Sequence, residues 1–321
     1  MTLLWIGFFA LIFSLLALDL GVLNKKAHEI KASEALRWTA FWIALSLLFN
    51  VAVYFMYEYN FLGVGEHPGA ATSGREAALK FFTGYVIEKS LSLDNIFVIA
   101  LIFNYFKVPL KYQHRTLFWG VVGALVLRGA MIIAGSALIM RLEWMIYVFG
   151  VLLLLTSAKL LFQKHDDFDP SRNPLLKIAR KIYPVTPDFE EQRFFSRIDG
   201  RLAITPLFLV LIVVESSDVL FAVDSIPAIF AVTLDPFIVF TSNVFAILGL
   251  RALYFALAAV MGLFAYLKYS LVFILAFVGV KMLLSHHHPI PIAVSLAVIA
   301  ASLAAGIAAS IIAQKRQAPR L

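Results

Sequence analysis

The stretch VVESSDVLFAVDSIPAIF (213–230) sets Glu215, Asp218 and Asp224 in a run of otherwise lipid-compatible residues, with no lysine or arginine among them. A second stretch, EKSLSLDNI (88–96), adds Glu88 and Asp94 in similar surroundings. A carboxylate at the bilayer centre costs roughly 2.5–3.5 kcal/mol on insertion scales, so five of them are retained for chemistry rather than stability. Lys89, Arg128 and Arg251 also fall within apolar runs and balance part of that charge, leaving two negative charges if all eight groups ionise. A bound divalent cation offsets the remainder, and so does protonation. Asn95, Ser90, Ser217, Ser225 and Asn243 offer neutral oxygens nearby. An all-oxygen ligand set favours Mg²⁺, Ca²⁺ or Mn²⁺ over copper and zinc. The competing reading is a buried acid–base network that locks helices together.

Spacing says how these acids can meet. Glu215 and Asp218 are i,i+3 and share a helix face. Asp224 lies six positions beyond Asp218, about 240° round an unbroken helix. Pro227 removes an amide hydrogen three residues later, and a break there would gather all three acids.

The elements that must hold these residues follow from composition. Of 321 residues, 61% are hydrophobic and 15% charged, which marks an all-α polytopic membrane protein rather than a soluble domain. Nine apolar runs are long enough to cross a hydrocarbon core of roughly 30 Å. They cover 3–23, 37–57, 81–106, 116–140, 144–162, 204–231, 237–260, 266–284 and 289–313. No alternating ten-residue segments suggest a barrel. The first span lacks a basic n-region and runs into ALDLGVLNKK, so it reads as a retained helix rather than a cleaved signal. With no cysteine, there is no disulfide, thiolate site or cysteine nucleophile.

The net charge of +7 is a topology signal. Nineteen Lys and Arg residues lie in alternate loops and the tail, eight of them between Lys164 and Arg201, against only Arg75, Lys80 and Arg141 on the other side. That bias puts the N-terminus outside and the C-terminus in the cytoplasm of a bacterial-type inner (plasma) membrane. Nucleic acid is therefore not an expected partner; the lipid bilayer is.

The chain also resembles itself. EKSLSLDNI (88–96) matches DVLFAVDSI (218–226), GALVLRGAM (123–131) matches AILGLRALY (246–254), and SAKLL (157–161) matches GVKML (279–283), at offsets of 130, 123 and 122. Each half is three helices, and an odd number inverts the second half relative to the first. The expected layout is two N-terminal helices (1–58), repeat 1 (80–162), a cytoplasmic loop (163–202), repeat 2 (203–285), and a last helix with a basic tail (286–321). In the loop, PLLKIARKIY (174–183) separates Leu175, Ile178, Ala179 and Ile182 from Lys177, Arg180 and Lys181, as a helix on the membrane surface does. RFFSRIDGRLAITP suggests a hairpin around Asp199-Gly200. A plain solvated linker is the alternative. Asp19 is expected at the interface, Lys159 and Lys281 to snorkel, and His286–His288 to form a polar turn rather than a metal trap. The many phenylalanines read as lipid-facing or packing residues.

SSDVLFAVDSIPAIFAVTLDPFIVFTSNVFAILGLRALYF (216–255) and GYVIEKSLSLDNIFV (84–98) resemble the TerC family of membrane proteins over nearly the whole chain, in its Alx-like branch. The resemblance implies kinship with LysE-type exporters, whose halves are inverted three-helix repeats, and links the chain to manganese efflux, tellurite-resistance phenotypes and metal loading of exported enzymes. It implies that Glu88, Asp94, Glu215, Asp218 and Asp224 line an ion site, with Asn95, Ser225 and Asn243 as further ligands or support. His286–His288 have no place in that pattern.

The function expected on these grounds is secondary transport, the export of Mn²⁺ from the cytoplasm, with other divalent cations as possible substrates and no organic cofactor. There is no nucleotide-binding loop, and exchange for protons is a natural coupling because crowded carboxylates share protons. The protein is not expected to be an enzyme: an intramembrane aspartyl protease needs a G-x-G-D that neither Asp94 nor Asp224 has. Two alternatives stay open: a metal-binding sensor or assembly factor that moves nothing, and an exporter of another cationic substrate such as a basic amino acid. Metal selectivity and oligomeric state are not readable from the sequence.

Overall fold

The computed structural model describes residues 2–18, 32–66, 69–162, 170, 173–258, 266–285 and 288–317. The elements are α1 (Thr2–Leu18), α2 (Ala32–Glu58), α3 (Gly74–Tyr105), α4 (Leu110–Arg141), α5 (Met145–Phe162), α6 (Pro174–Ile182), β1 (Phe195–Ile198), β2 (Arg201–Ile204), α7 (Pro206–Phe230), α8 (Pro236–Leu248), α9 (Leu250–Ala258), α10 (Leu267–Leu284) and α11 (Ile292–Gln317). Seven units among the described residues are long and apolar enough to cross a membrane: α2, α4, α5, α7, the α8–α9 pair, α10 and α11. The two other expected spans fall short for different reasons. α1 has 17 residues, and the expected end of that span lies outside the described residues. α3 has 32 residues, but Glu88, Lys89 and Asp94 interrupt its apolar sequence.

Local chemistry sets the helix starts. Proline occupies the first turn of α6, α7 and α8, where its missing amide costs nothing. Asn173 and Asp235 cap α6 and α8 by accepting from backbone amides two and three residues on. The fully buried Asp235 also accepts from the Tyr57 hydroxyl at 2.6 Å, tying α2 to the start of α8.

Two expectations are corrected here. α7 runs unbroken from Pro206 to Phe230, because Pro227 sits in its last turn and forfeits a single hydrogen bond there. The span expected as one helix over 237–260 is instead interrupted at Gly249, between α8 and α9. The hairpin falls where expected: Phe195 pairs with Ile204 and Ile198 with Arg201. Asp199 and Gly200 form its turn with φ of 49° and 78°, the left-handed pair that a two-residue hairpin needs. α6 buries Leu176 and leaves Leu175, Ile178 and Ile182 exposed on one flank, with Lys177, Arg180 and Lys181 on another.

Six helices enclose the acids. α3 packs on α8 and α7, α4 on α7 and α8, and α5 on α10. The α5–α10 crossing is antiparallel and close. A Cβ added to Gly279 would lie 2.9 Å from the Gly150 carbonyl oxygen, and the Ser157 hydroxyl donates to the Val272 carbonyl at 2.9 Å. α3 and α5 end, and α7 and α10 begin, on the side of the molecule that carries the hairpin. α1 closes the opposite flank, with Trp5 and Phe8 against Phe237 and Phe240 at ring separations of 5.4 to 6.0 Å. The aromatic residues there are packing residues, as expected.

Candidate functional site

Arg128, near the middle of α4, is buried and joins three other helices. Its Nε and Nη2 donate to the two carboxylate oxygens of Asp218 on α7, at 3.0 and 2.9 Å, a bidentate fork. Its Nη1 donates to Glu88 on α3, to the Ser225 hydroxyl at 3.1 Å, and weakly to Asn243 Oδ1 at 3.5 Å. The second oxygen of the fully buried Glu88 accepts from Asn243 Nδ2 at 3.2 Å. One guanidinium therefore pairs with two of the five acids, and Ser225 and Asn243 complete its shell. This much of the site is an acid–base network.

Asp94 and Asp224 stand apart from it. Both line a cavity of about 200 Å³ between α3, α5, α7 and α10, together with Glu88, Asn95, Thr156, Lys159, Ser217, Ser225 and Lys268. Asp224 accepts from the Thr156 hydroxyl at 2.7 Å. The Asn95 side-chain carbonyl is buried without a hydrogen-bond partner, an orphan acceptor on the cavity wall. Leu101, Lys159, Leu160 and Lys268 place the mouth toward the hairpin side, near the ends of α3 and α5 and the start of α10. Further along these helices in the other direction lies an apolar cluster that includes Ile87, Leu153, Ala228, Val278 and Met282. The cavity is thus stopped on that side by packed side chains. Behind it, a small space of about 20 Å³ is lined by Asn95, Ser217, Phe221, Asp218 and Arg251.

The five predicted metal acids therefore divide into three settings. Glu88 and Asp218 hold Arg128, and Asp94 and Asp224 share the cavity. Glu215 lies against Gly123 of α4, so close that a Cβ there would collide with its carboxylate, and its Oε2 is buried without a hydrogen-bond partner. Among the described residues no three acids or histidines are close enough to one another to hold a metal ion. Unbroken helical geometry explains the division: Asp218 and Glu215 face α4, whereas Asp224, about 240° from Asp218, faces α5.

The predicted charge-balancing residues also divide. Lys89 donates to the Ala246 carbonyl at 3.2 Å, at the last turn of α8, where the break at Gly249 leaves carbonyls in need of donors. Arg251 is buried beside Asp218 in the small space. Lys159 does not simply snorkel: it lines the cavity near Asp224, while Lys281 is buried, contrary to expectation. His286 and His287 lie outside the described residues. Thr156 is a site residue that the sequence reading passed over. Its signal is a polar Thr-Ser pair inside the apolar run VLLLLTSAKLL.

The description "Integral membrane protein TerC family" matches residues 73–318. A membrane protein of Myxococcus xanthus, STKORF319, is 50% identical over 297 residues, covering 92% of this chain and 88% of its own. A protein of Escherichia coli K12, named as a proposed membrane-bound redox modulator, Alx, is 48% identical over 298 residues, with 92% and 90% covered. A membrane protein of Rickettsia bellii is 44% identical over 294 residues, 92% of each chain. No solved structure is a significant match. With seven units of membrane-spanning length among the described residues, the chain is a multi-pass integral membrane protein.

Proposed function

The chain belongs to the TerC family of integral membrane proteins, and from that premise we propose that it is a secondary transporter exporting Mn²⁺ from the cytoplasm in exchange for protons. One observation carries the reading: Asp94-Asn95 and Asp224-Ser225, 130 residues apart in self-similar stretches, converge on one cavity that opens at one end and is packed shut at the other. That is the architecture of an ion site between two related halves. The pairing pattern supports inverted repeats, as in LysE-type exporters. Exchanging the halves turns α3 against α8 into α7 against α4, both observed, and maps the antiparallel α5–α10 pair onto itself. Because the basic loops lie on the hairpin side, that side is read as cytoplasmic.

On this reading Mn²⁺ is the substrate and enters past Lys159 and Lys268, which line the cavity together with the acids. Asp94 and Asp224 supply charged oxygens, and Asn95, Thr156 and Ser225 supply neutral ones. Closure of the halves around the ion, and opening of the apolar cluster, would complete one passage. A redox effect, the activity in the Alx relatives' name, does not run through thiols of this cysteine-free chain.

The test is Mn²⁺ uptake into proteoliposomes holding the purified protein, beside Asp224→Asn. Flux that falls to the protein-free background in the variant, which keeps its fold, supports the reading. Absence of flux under every pH and Mn²⁺ gradient, with Mn²⁺ still bound, would replace transport with sensing or assembly. Flux indifferent to pH gradients would remove the proton exchange alone.

A further inference from the structure

Residues equivalent by the internal repeat hold unequal places. The offsets match Glu88 with Asp218, Arg128 with Arg251, Lys159 with Lys281 and Val126 with Gly249. Arg128 bridges Glu88 and Asp218, so it joins one acid from each half. Its counterpart Arg251 is also buried, and it lines a space of about 20 Å³ together with Asp218. Lys159 is exposed at the cavity mouth, whereas Lys281 is buried near the opposite face. α4 passes Arg128 without interruption, whereas its counterpart breaks at Gly249, two residues before Arg251.

Two related halves in unequal conformations have a second arrangement built in, in which each half adopts the other's conformation. We infer that Arg128 and Arg251 alternate on the Glu88–Asp218 pair, Arg251 holding it in a second state whose cavity opens to the opposite face beside Lys281. The inference rests on the inverted-repeat reading above and names the residues that hold each state. Each arginine is a tethered cation. Were Arg128 to leave with no replacement, a fully buried and a part-buried carboxylate would lose the guanidinium that pairs with both, which is strongly unfavourable. Replacement by Arg251 keeps a guanidinium on the acid pair through the change of state. The break at Gly249 has a place in the same scheme: it divides the helix that must re-aim Arg251, and Lys89 holds the loosened carbonyl of Ala246 until it does.

The absence of cysteine makes the test clean. Lys159→Cys and Lys281→Cys are introduced singly into the full chain, and into Arg128→Gln, Arg128→Lys and Arg251→Gln backgrounds. The rate of reaction with a membrane-impermeant maleimide is read from each face of sealed vesicles. Arg128→Gln weakens the described state, so labelling at 281 rises and at 159 falls, the ratio moving by about tenfold, the middle of the range for coupled states. Arg251→Gln moves the ratio the other way by a similar factor, and Arg128→Lys moves it less than Arg128→Gln. Both glutamine variants moving the ratio in one direction, or neither moving it beyond about twofold, overturns the exchange. If Arg128→Gln does not fold, which faster labelling at both positions reveals, the Arg251→Gln arm decides alone. The ratio needs no ion, so an absence of Mn²⁺ flux with the ratio shifting as stated would overturn export and leave the exchange standing.

Discussion

Replacing Arg128 with glutamine strips the counter-charge from an acid that is fully buried, Glu88, and from another whose side chain is 12% exposed, Asp218. The magnitude can be bracketed in two ways. Three hydrogen bonds to charged acceptors, at about 1.5–3 kcal/mol each, give a gross loss of about 4.5–9 kcal/mol. Removing one partner of a buried ion pair costs about 3–5 kcal/mol, a figure that already contains relaxation, water entry and protonation of the orphaned acid. The second governs, because it is a net figure that includes the response of the surroundings. At about 2 °C per kcal/mol for a chain of this size, the unfolding midpoint in detergent should fall by roughly 6–10 °C, followed by tryptophan fluorescence. Arg128→Lys keeps the charge but loses the fork to Asp218, so it should fall between the two. The sharpest check is compensation. Glu88→Gln with Asp218→Asn, added to Arg128→Gln, removes every charge of the network and should recover most of the loss. An Arg128→Gln midpoint within about 2 °C of the parent, or a triple variant less stable than the single one, would refute the reasoning.

Three further outcomes follow from the packing and from one surface carboxylate. Gly123→Ala drives a Cβ into the Glu215 carboxylate and should cost about 1–3 kcal/mol in thermal unfolding; Glu215→Ala in the same chain should reverse the loss, because the obstacle is a side chain. Gly279→Ala meets the Gly150 carbonyl at 2.9 Å, an obstacle of backbone, so it should cost about as much, and no side-chain change on α5 should restore it. Outside the membrane-spanning segments, burial pushes the Glu76 carboxyl up, but bonds from Lys80 and Thr72 outweigh it and hold the group at about 2. A depressed folded-state value stabilises above the ordinary carboxylate range and is lost on acidification. Unfolding of the parent and Glu76→Gln should therefore differ at pH 7 and converge as pH falls from about 4.5 toward 2; a gap that widens on acidification would contradict the pairing.

Much of the fold was legible because membrane burial is written in runs of residues. Seven of the nine expected spans, the hairpin turn at Asp199-Gly200 and the two flanks of α6 all depend on local sequence, and these appear among the described residues. The misjudged points are positional. Pro227 removes an amide hydrogen, but it sits in a last turn, where the loss is a single bond. Gly249 carries no strong breaking signal, since its φ of −81° is open to any residue; the interruption is stabilised from outside, by Lys89 on another helix. Lys281 was assigned to the interface by its distance from a span end. Helix packing decides that question, and Lys281 is buried within the helix bundle.

The site was legible as a list and not as a map. Five acids and three bases fix the charge left over in any arrangement, but not which base meets which acid, because Arg128 lies 40 residues from Glu88 and 90 from Asp218. Once Arg128 is assigned to those two and Lys89 to the α8 carbonyl, the acids that line the open cavity most clearly are Asp94 and Asp224. This decides which substitution is informative. Glu88→Gln would disturb the guanidinium that joins α3, α4 and α7, so lost flux could mean a lost ion site or a loosened fold. Asp224 is held by the Thr156 hydroxyl and belongs to no such network, and its amide keeps the size and the bond to Thr156 while removing the charge. A transport defect in Asp224→Asn with an unchanged unfolding midpoint therefore reports on the cavity's charge, the quantity on which a cation substrate depends.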